Sequence, residues 1–453
     1  MKKITLLTLA LGVASALPVS AVDLYITGST AFRANVYGAC QKMFAGGAPT
    51  STSYGDVAHG GDGTFTSGNT SWVMSGKASP NILILSGGTL VIHALFTGSI
   101  QGIQSVENVQ PLVFAKPGLD GAVATTFITN APTIAFSDTA SAATPQYDVN
   151  NFTSIGEEQV AVQPFVFCKS LATGGAVTSI GNVGWEQIRY AYVKGRIPFS
   201  SWTGKSSDNN SYVYLLNRTL DSGTRVTILS EVAYPYLQPT TIYNYDPTNT
   251  QFYQANNTAF STVGRTNFGV IGSTAGVGNA NLAWGPGYIG GGDLRTGLKY
   301  TDIQNQSIGY LSFSDAKSAG TVNWGSVISF NGVWPTTNGV GITAGNTTYN
   351  NFAPVTSGAY PYWTYEVVVY PINGNADVTA TQLGNQNQAG TLLGVLDYQT
   401  LYSNLGGVTL AGSLENEIEL SKTISPGATA IRLSDMTASR GSVGGTIFPT
   451  PNP

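Results

Sequence analysis

Charge, histidine and cysteine are all scarce in this chain of 453 residues. Charged side chains make up 10% of it, and it has two histidines and two cysteines. With His59 and His93 as its only imidazoles, a Ser-His-Asp hydrolase has little to draw on. Two cysteines cannot close a structural zinc site without histidine. The scattered acids form no pair spaced for glycoside hydrolysis. No block of basic residues occurs, and the net charge is −4, which excludes nucleic acid as the natural partner. No catalytic residue, metal site or cofactor is expected, so the chain reads as a non-enzyme.

One long apolar run exists, from Ile4 to Leu17. It follows Lys2 and Lys3 and precedes the small-residue pattern Pro18-Val19-Ser20-Ala21. This is the pattern of a secretory signal peptide, expected over residues 1–21. The remainder has no other run long enough to span a bilayer. It is expected to be periplasmic or secreted and not membrane-spanning after signal removal. Without Lys2 and Lys3 the balance is 18 basic to 24 acidic residues. In an oxidising compartment Cys40 and Cys168 could form a disulfide or remain two buried thiols, and the sequence leaves both open.

The chain is instead rich in glycine, with 55 residues, and has 23 tyrosines. A polar but weakly charged surface suits an extracellular protein with many loops. An adhesive or interaction protein on the same fold is the rival reading, because fold does not fix function.

A unit recurs along the chain: a buried strand, a Gly/Ser/Thr turn, then a helix. Leu24–Ile26 leads through Gly28-Ser29-Thr30 into a helix carrying Phe32, Val36 and Cys40. Ile82–Leu85 reads as a buried strand, followed by Gly87-Gly88-Thr89 and a short helix over Leu90–Phe96. Thr133–Phe136 is a strand ending at Ser137-Asp138. Val160–Phe167 is a long strand broken by Pro164. Gly184–Ile188 opens a helix that ends at Lys194-Gly195-Arg196. Tyr212–Leu216 is a strand, then Arg218 precedes a helix opened by Ser222-Gly223-Thr224. Ser307–Phe313 and Tyr365–Tyr370 are further strands. The pattern predicts an α/β fold with a largely parallel sheet. Ligands of such sheets sit beyond the carboxyl ends of the strands.

Three turns share one chemistry: Gly28–Phe32, Gly88-Thr89 and Ser222–Thr224. Each combines a hydroxyl with the unpaired amides of a helix start, an anion-binding arrangement. Each hydroxyl could equally cap its own helix. Arg218 adds a planar fork suited to a tetrahedral oxyanion. Asp138 is intelligible beside an anion that still carries a proton: monohydrogen phosphate can donate to it, whereas sulfate at neutral pH cannot.

These residues resemble the phosphate-type members of the type 2 periplasmic binding proteins, the solute receptors of ABC importers. The resemblance rests on Gly28-Ser29-Thr30-Ala31-Phe32, Ile134–Asp138, Gly184–Ile188 with Lys194–Ile197 and Trp202. Arg218 with Ser222–Arg225, and Ser307–Tyr310, complete it. It implies two α/β lobes joined by two crossing hinge strands, with long Gly/Asn/Ser-rich insertions: lobe 1 over 22–163 and 366–453, lobe 2 over 164–365. It implies capture of inorganic phosphate, or sulfate, molybdate or a phosphorylated small molecule, and a partner ABC permease. Matched by position, the ligand contacts would be the Ala31 and Phe32 amides, Thr89, Asp138, Arg218, Ser222, Gly223 and Thr224, with Ser29 and Thr30 as neighbours. Departures are plain too. Thr89 stands where the family has serine, Leu220 where it has an acid, and 41–80 and 98–130 are longer. Arg33 offers a compensating donor. The segment 416–453 reads as a final wrap on the first lobe.

Overall fold

The computed structural model describes residues 22–56, 69–79, 88–144, 152, 155–170, 179–219, 222–235, 240–246, 251–255, 287–288, 290–298, 306–317, 327–337, 352–371, 431 and 433–449. The expected signal segment, the strand at Ile82–Leu85, His59 and Leu220 lie outside them.

The first part of the chain runs β1 (Val22–Gly28), α1 (Arg33–Lys42), β2 (Ser51–Tyr54), β3 (Ser71–Lys77), β4 (Thr89–Leu95), α2 (Ser99–Glu107), β5 (Leu112–Ala115), β6 (Phe127–Asn130) and β7 (Ile134–Ser137). The middle runs β8 (Ile155–Lys169), β9 (Asn182–Val183), α3 (Trp185–Lys194), β10 (Arg196–Pro198), α4 (Ser200–Thr203), β11 (Tyr212–Leu216), α5 (Gly223–Glu231), β12 (Ile242–Asp246) and β13 (Gln251–Ala255). Then come α6 (Gly291–Leu298), β14 (Gln306–Ser312), α7 (Phe313–Lys317), β15 (Val327–Phe330), α8 (Ala353–Thr356), β16 (Trp363–Pro371), β17 (Ala438–Arg440) and β18 (Ile447–Pro449).

One continuous sheet of 14 strands carries the fold, with the main order β13-β12-β11-β14-β8-β16-β7-β1-β4-β3-β2. It is a mixed α/β sheet, not a largely parallel one. Parallel pairs lie inside each half: β4-β1-β7 on one side, β12-β11-β14 on the other. Between them runs the antiparallel pair β8-β16. Because β1, β4 and β7 point the same way, their carboxyl ends and following turns meet at one place.

The strand β8 is unbroken over 15 residues. Pro164 does not end it, because it marks the handover. Up to Pro164, β8 pairs with β16; from Phe165 onward it pairs with β14 and β15. A proline has no ladder hydrogen to give, so it is best tolerated where pairing changes. The cores change over at the same point. Val160, Ala161 and Val368 pack with β1, α1 and β4, whereas Val162 and Phe165–Cys168 pack with β11, β14 and α5.

The short helix expected over Leu90–Phe96 is the strand β4, paired parallel to β1 and antiparallel to β3. Both its faces are covered, so the apolar run shows neither period 2 nor period 3.6. The stretch 98–130 holds α2 and the β5-β6 hairpin. Residues 431 and 433–449 pack on the central half, not the first. Ile431 bonds with Val162, and Arg440 stacks 4.3 Å from the Trp363 ring and pairs with Glu231. Cys40 lies in the core with α1 and Cys168 in the central core; each is a buried thiol and they are not joined. No described helix is long and apolar enough to cross a membrane.

Candidate functional site

The carboxyl end of β1 is shaped by close approach. Gly28 has φ +111°, and a Cβ there would lie 1.9 Å from the Phe136 carbonyl oxygen. Only glycine combines that backbone angle with that contact. The chain then turns so that the Ser29 amide donates to the Phe136 carbonyl (2.7 Å) and Gly98 donates to Gly28 (2.9 Å). The ends of β1 and β7 and the start of α2 are thereby fastened together. Thr30, Ala31 and Phe32 follow, with Phe32 as the N-cap of α1. First-turn amides of a helix have no intrahelical acceptor.

Asp138 follows β7 and is 1% exposed. Its Oδ1 accepts from the Ser99 hydroxyl. Its Oδ2 accepts from the Thr224 hydroxyl at 2.8 Å, across from the other half of the sheet. Its carbonyl accepts from Thr227 at 3.2 Å. Ser222 caps α5, its oxygen accepting from the Arg225 amide at 3.3 Å; the hydroxyl keeps its own proton to donate. A Cβ on Gly223 would stand 1.8 Å from Asp138 Oδ1, so α5 can approach only through glycine. Burial raises the pKa of Asp138 from its ordinary value, while Ser99, Thr224 and the Arg218 guanidinium pull it back.

Arg218 is 2% exposed. Its Nε donates to the Tyr288 carbonyl (3.1 Å) and a terminal nitrogen reaches Thr30 Oγ1 (3.4 Å). Its amide is fixed by Asn217 Oδ1 (2.9 Å) and the Tyr310 hydroxyl (3.1 Å). The guanidinium therefore spans from the central half to the turn after β1.

A second cluster lies beside it. Arg33 pairs with Asp315 Oδ1 at 3.2 Å, again across the two halves, and also donates to the Thr30 carbonyl. The compensating donor expected at Arg33 is thus engaged with a carboxylate. The Ser314 hydroxyl donates to the Ala31 carbonyl at 3.2 Å, and Arg295 donates to the Asp315 carbonyl at 3.3 Å. Burial alone would raise Asp315, but the Arg33 and Arg295 guanidiniums outweigh it and hold it below its ordinary value. Asp293, which accepts from the Gly290 amide at 3.0 Å, is raised by burial, although Arg218 and Arg33 offset part of this.

Nine of the ten residues singled out in the sequence sit in these turns: Ser29, Thr30, Ala31, Phe32, Asp138, Arg218, Ser222, Gly223 and Thr224. Thr89 does not. It opens β4 at the amino end, opposite Lys77, and is exposed. The turn at the carboxyl end of β4 is Thr97-Gly98-Ser99, and Ser99 provides the hydroxyl at Asp138. The signal was present: an apolar run ending at Phe96, then Thr-Gly-Ser, then Ile100, Ile103 and Val106 at helical spacing. Reading β4 as a helix displaced the turn by one strand. His93 is a core residue, its ring nitrogens 2.7 Å from the Ala115 carbonyl and 3.1 Å from Asp23. Among the described residues no cluster of His, Cys, Asp and Glu could hold a metal.

No protein-family model matches this sequence, and no curated protein does. Solved structures do show a likeness. A substrate-binding protein of a phosphate ABC transporter from Clostridium perfringens, solved with bound phosphate, is 12% identical. The likeness covers 91% of this chain and 99% of that one, with a TM-score of 0.42. A phosphate-binding protein from Stenotrophomonas maltophilia is 14% identical over 88% of this chain and 89% of that one, TM-score 0.39. An ABC-type phosphate transport receptor from Vibrio cholerae is 12% identical over 83% and 98%, TM-score 0.36. Likeness at this level decides nothing about the ligand; the side chains must.

Proposed function

We propose that the chain is an extracytoplasmic solute-binding protein that closes two lobes over a tetrahedral oxyanion, phosphate first among them, for delivery to an ABC permease. One observation carries this reading. A buried carboxylate, Asp138, receives hydroxyl bonds from both halves of the sheet, through Ser99 and Thr224, within the field of Arg218. A closed core needs no such assembly. A clasp does, because donors from both sides must converge on one guest.

The roles follow from the chemistry of each group. Arg218 supplies a fork for two anion oxygens. The amides of Ala31 and Phe32 and those opening α5 at Gly223 and Thr224 add donors backed by helix dipoles. Ser29, Thr30, Ser99, Ser222 and Thr224 add hydroxyls, which can turn to donate. Asp138 accepts the proton of a monohydrogen oxyanion and repels one that has none. Titration calorimetry against phosphate, sulfate and molybdate tests this: phosphate binds most tightly, with a clear margin over sulfate. Binding none of the three, or equal binding of phosphate and sulfate, overturns it.

A further inference from the structure

A second buried carboxyl lies beside Asp138, and neither the clasp nor the Arg33–Asp315 pair uses it. Glu366 sits on β16, opposite Ala161 of β8, where the ladder shifts register before Val367. The next pair is Val367 with Ser137 of β7, so the register brings Glu366 alongside Asp138. Glu366 is 0% exposed, and neither carboxyl oxygen has a hydrogen-bond partner among the described residues. The Ser29 hydroxyl is likewise 0% exposed and unpartnered.

Two carboxyls this close do not both ionise in a buried setting. The partners decide which keeps the proton. Asp138 has two hydroxyl donors and the Arg218 charge; Glu366 has none of these. An ionised Glu366 would be an unpaired buried charge, whereas the neutral acid is only an underused polar group. The groups around it agree. β8 places Ala161 opposite it, the β1 turn offers Ser29, and the charge that acts on it is that of Asp138. β8 carries two acids: Glu158 stands opposite Val368, and Glu157 lies three ladder positions from Glu366, opposite Val369, bound to the Ser141 amide. Burial first, then Asp138, pushes the Glu366 carboxyl well above its ordinary range, and the nearby Ser29 hydroxyl acts in the opposite direction.

Resting on the oxyanion reading above, we propose that Glu366 is a positioning residue of the anion site: as a neutral acid it donates to Ser29 Oγ and so turns the Ser29 hydroxyl proton toward the ligand. A serine oxygen that accepts from a carboxylic acid directs its own hydrogen elsewhere, which makes Ser29 an obligate donor. Loss of the Glu366 proton reverses the arrangement and places a second negative charge at the floor of the site. Anion affinity therefore falls at alkaline pH more steeply than Asp138 and the ligand alone require.

Calorimetry with inorganic phosphate from pH 6 to pH 9 on the full mature chain tests this, alongside Glu366→Gln, Glu366→Leu and Ser29→Ala. The amide of Glu366→Gln still donates to Ser29 but cannot ionise, so its affinity loses the extra alkaline fall seen in the parent. Glu366→Leu and Ser29→Ala each weaken binding about tenfold, and the Leu substitution adds little to Ser29→Ala. The ligand's own titration is common to all four and cancels in the comparison. Identical pH slopes for the parent and Glu366→Gln overturn the proposal. An infrared difference spectrum gives a readout independent of any ligand: the parent at neutral pH shows a protonated-carboxyl stretch that Glu366→Gln lacks, and its absence also overturns the proposal. If the parent binds no oxyanion while that stretch is present, the oxyanion reading is what failed, and the role of Glu366 in anion binding falls with it.

Discussion

Asp138 and Asp315 are both buried acids contacted from the opposite half of the sheet, yet they are held by different chemistry. Hydroxyls reach Asp138, from Ser99 and Thr224. Guanidinium reaches Asp315, from Arg33. Burial wins at Asp138 and its proton affinity rises; at Asp315 the two arginines win and it falls. A carboxylate bound by hydroxyls can trade one donor for a proton-bearing guest at small net cost, since a bond of about 1.5–3 kcal/mol is lost and one of the same kind is regained. A carboxylate bound by a guanidinium is costly to separate once buried. The first suits recognition and the second suits a latch between the halves.

The largest expected effect comes from closing the approach of α5 to Asp138. Gly223→Ala puts a methyl 1.8 Å from Oδ1, and phosphate heat in calorimetry disappears while circular dichroism keeps its shape. Next is Arg218→Ala, which weakens phosphate binding by about 2 kcal/mol, or roughly thirtyfold, through loss of a charged hydrogen-bonding fork. Asp138→Asn removes the charge and turns one acceptor oxygen into a donor without removing volume, so the phosphate-to-sulfate preference drops about tenfold in a competition titration. If the preference persists, Asp138 is structural.

Stability against pH separates the two acids further. The folded value of Asp315 is depressed, so its contribution is present above about 3.8 and lost as pH falls through the folded value. Asp315→Asn therefore lowers the melting temperature at neutral pH and narrows the gap to the parent in acid. Asp138 is raised, so its contribution is greatest below 3.8 and declines as pH rises through the folded value. Asp138→Asn gains on the parent toward neutral pH. Thermal melts at pH 3, 5 and 7 check both, and parallel curves would erase the distinction. The smallest expected effect is that of Thr89→Ala, within about 0.5 kcal/mol in stability and binding alike, because the side chain is exposed at the far end of β4.

The sequence showed the turns better than the strand pairing around them. Turn chemistry is local: Gly28-Ser29-Thr30 and Ser222-Gly223-Thr224 announce themselves because glycine and hydroxyl residues mark a helix start wherever it lies. The helix misread over Leu90–Phe96 came from a strand covered on both faces, where periodicity vanishes. That error cost Ser99, whose signature lay two residues beyond the run. Long-range pairing left weaker traces. Arg33 looked like a ligand donor because Asp315, 282 positions later, cannot be placed beside it without the sheet order. The C-terminal hairpin went to the wrong half for the same reason: the Arg440 bonds to Glu231 and Pro361 carry no local pattern. Glu366 was the one charged residue in an apolar strand, a signal that marks an exception without saying what it serves.

The handover in β8 at Pro164 sets where one half-sheet gives way to the other. A ring that fixes its own φ and offers no amide hydrogen gives the ladder nothing to break there. Under the clasp proposed above, the torsions on either side of this ring are where one half-sheet would turn against the other, each keeping the partners it already has.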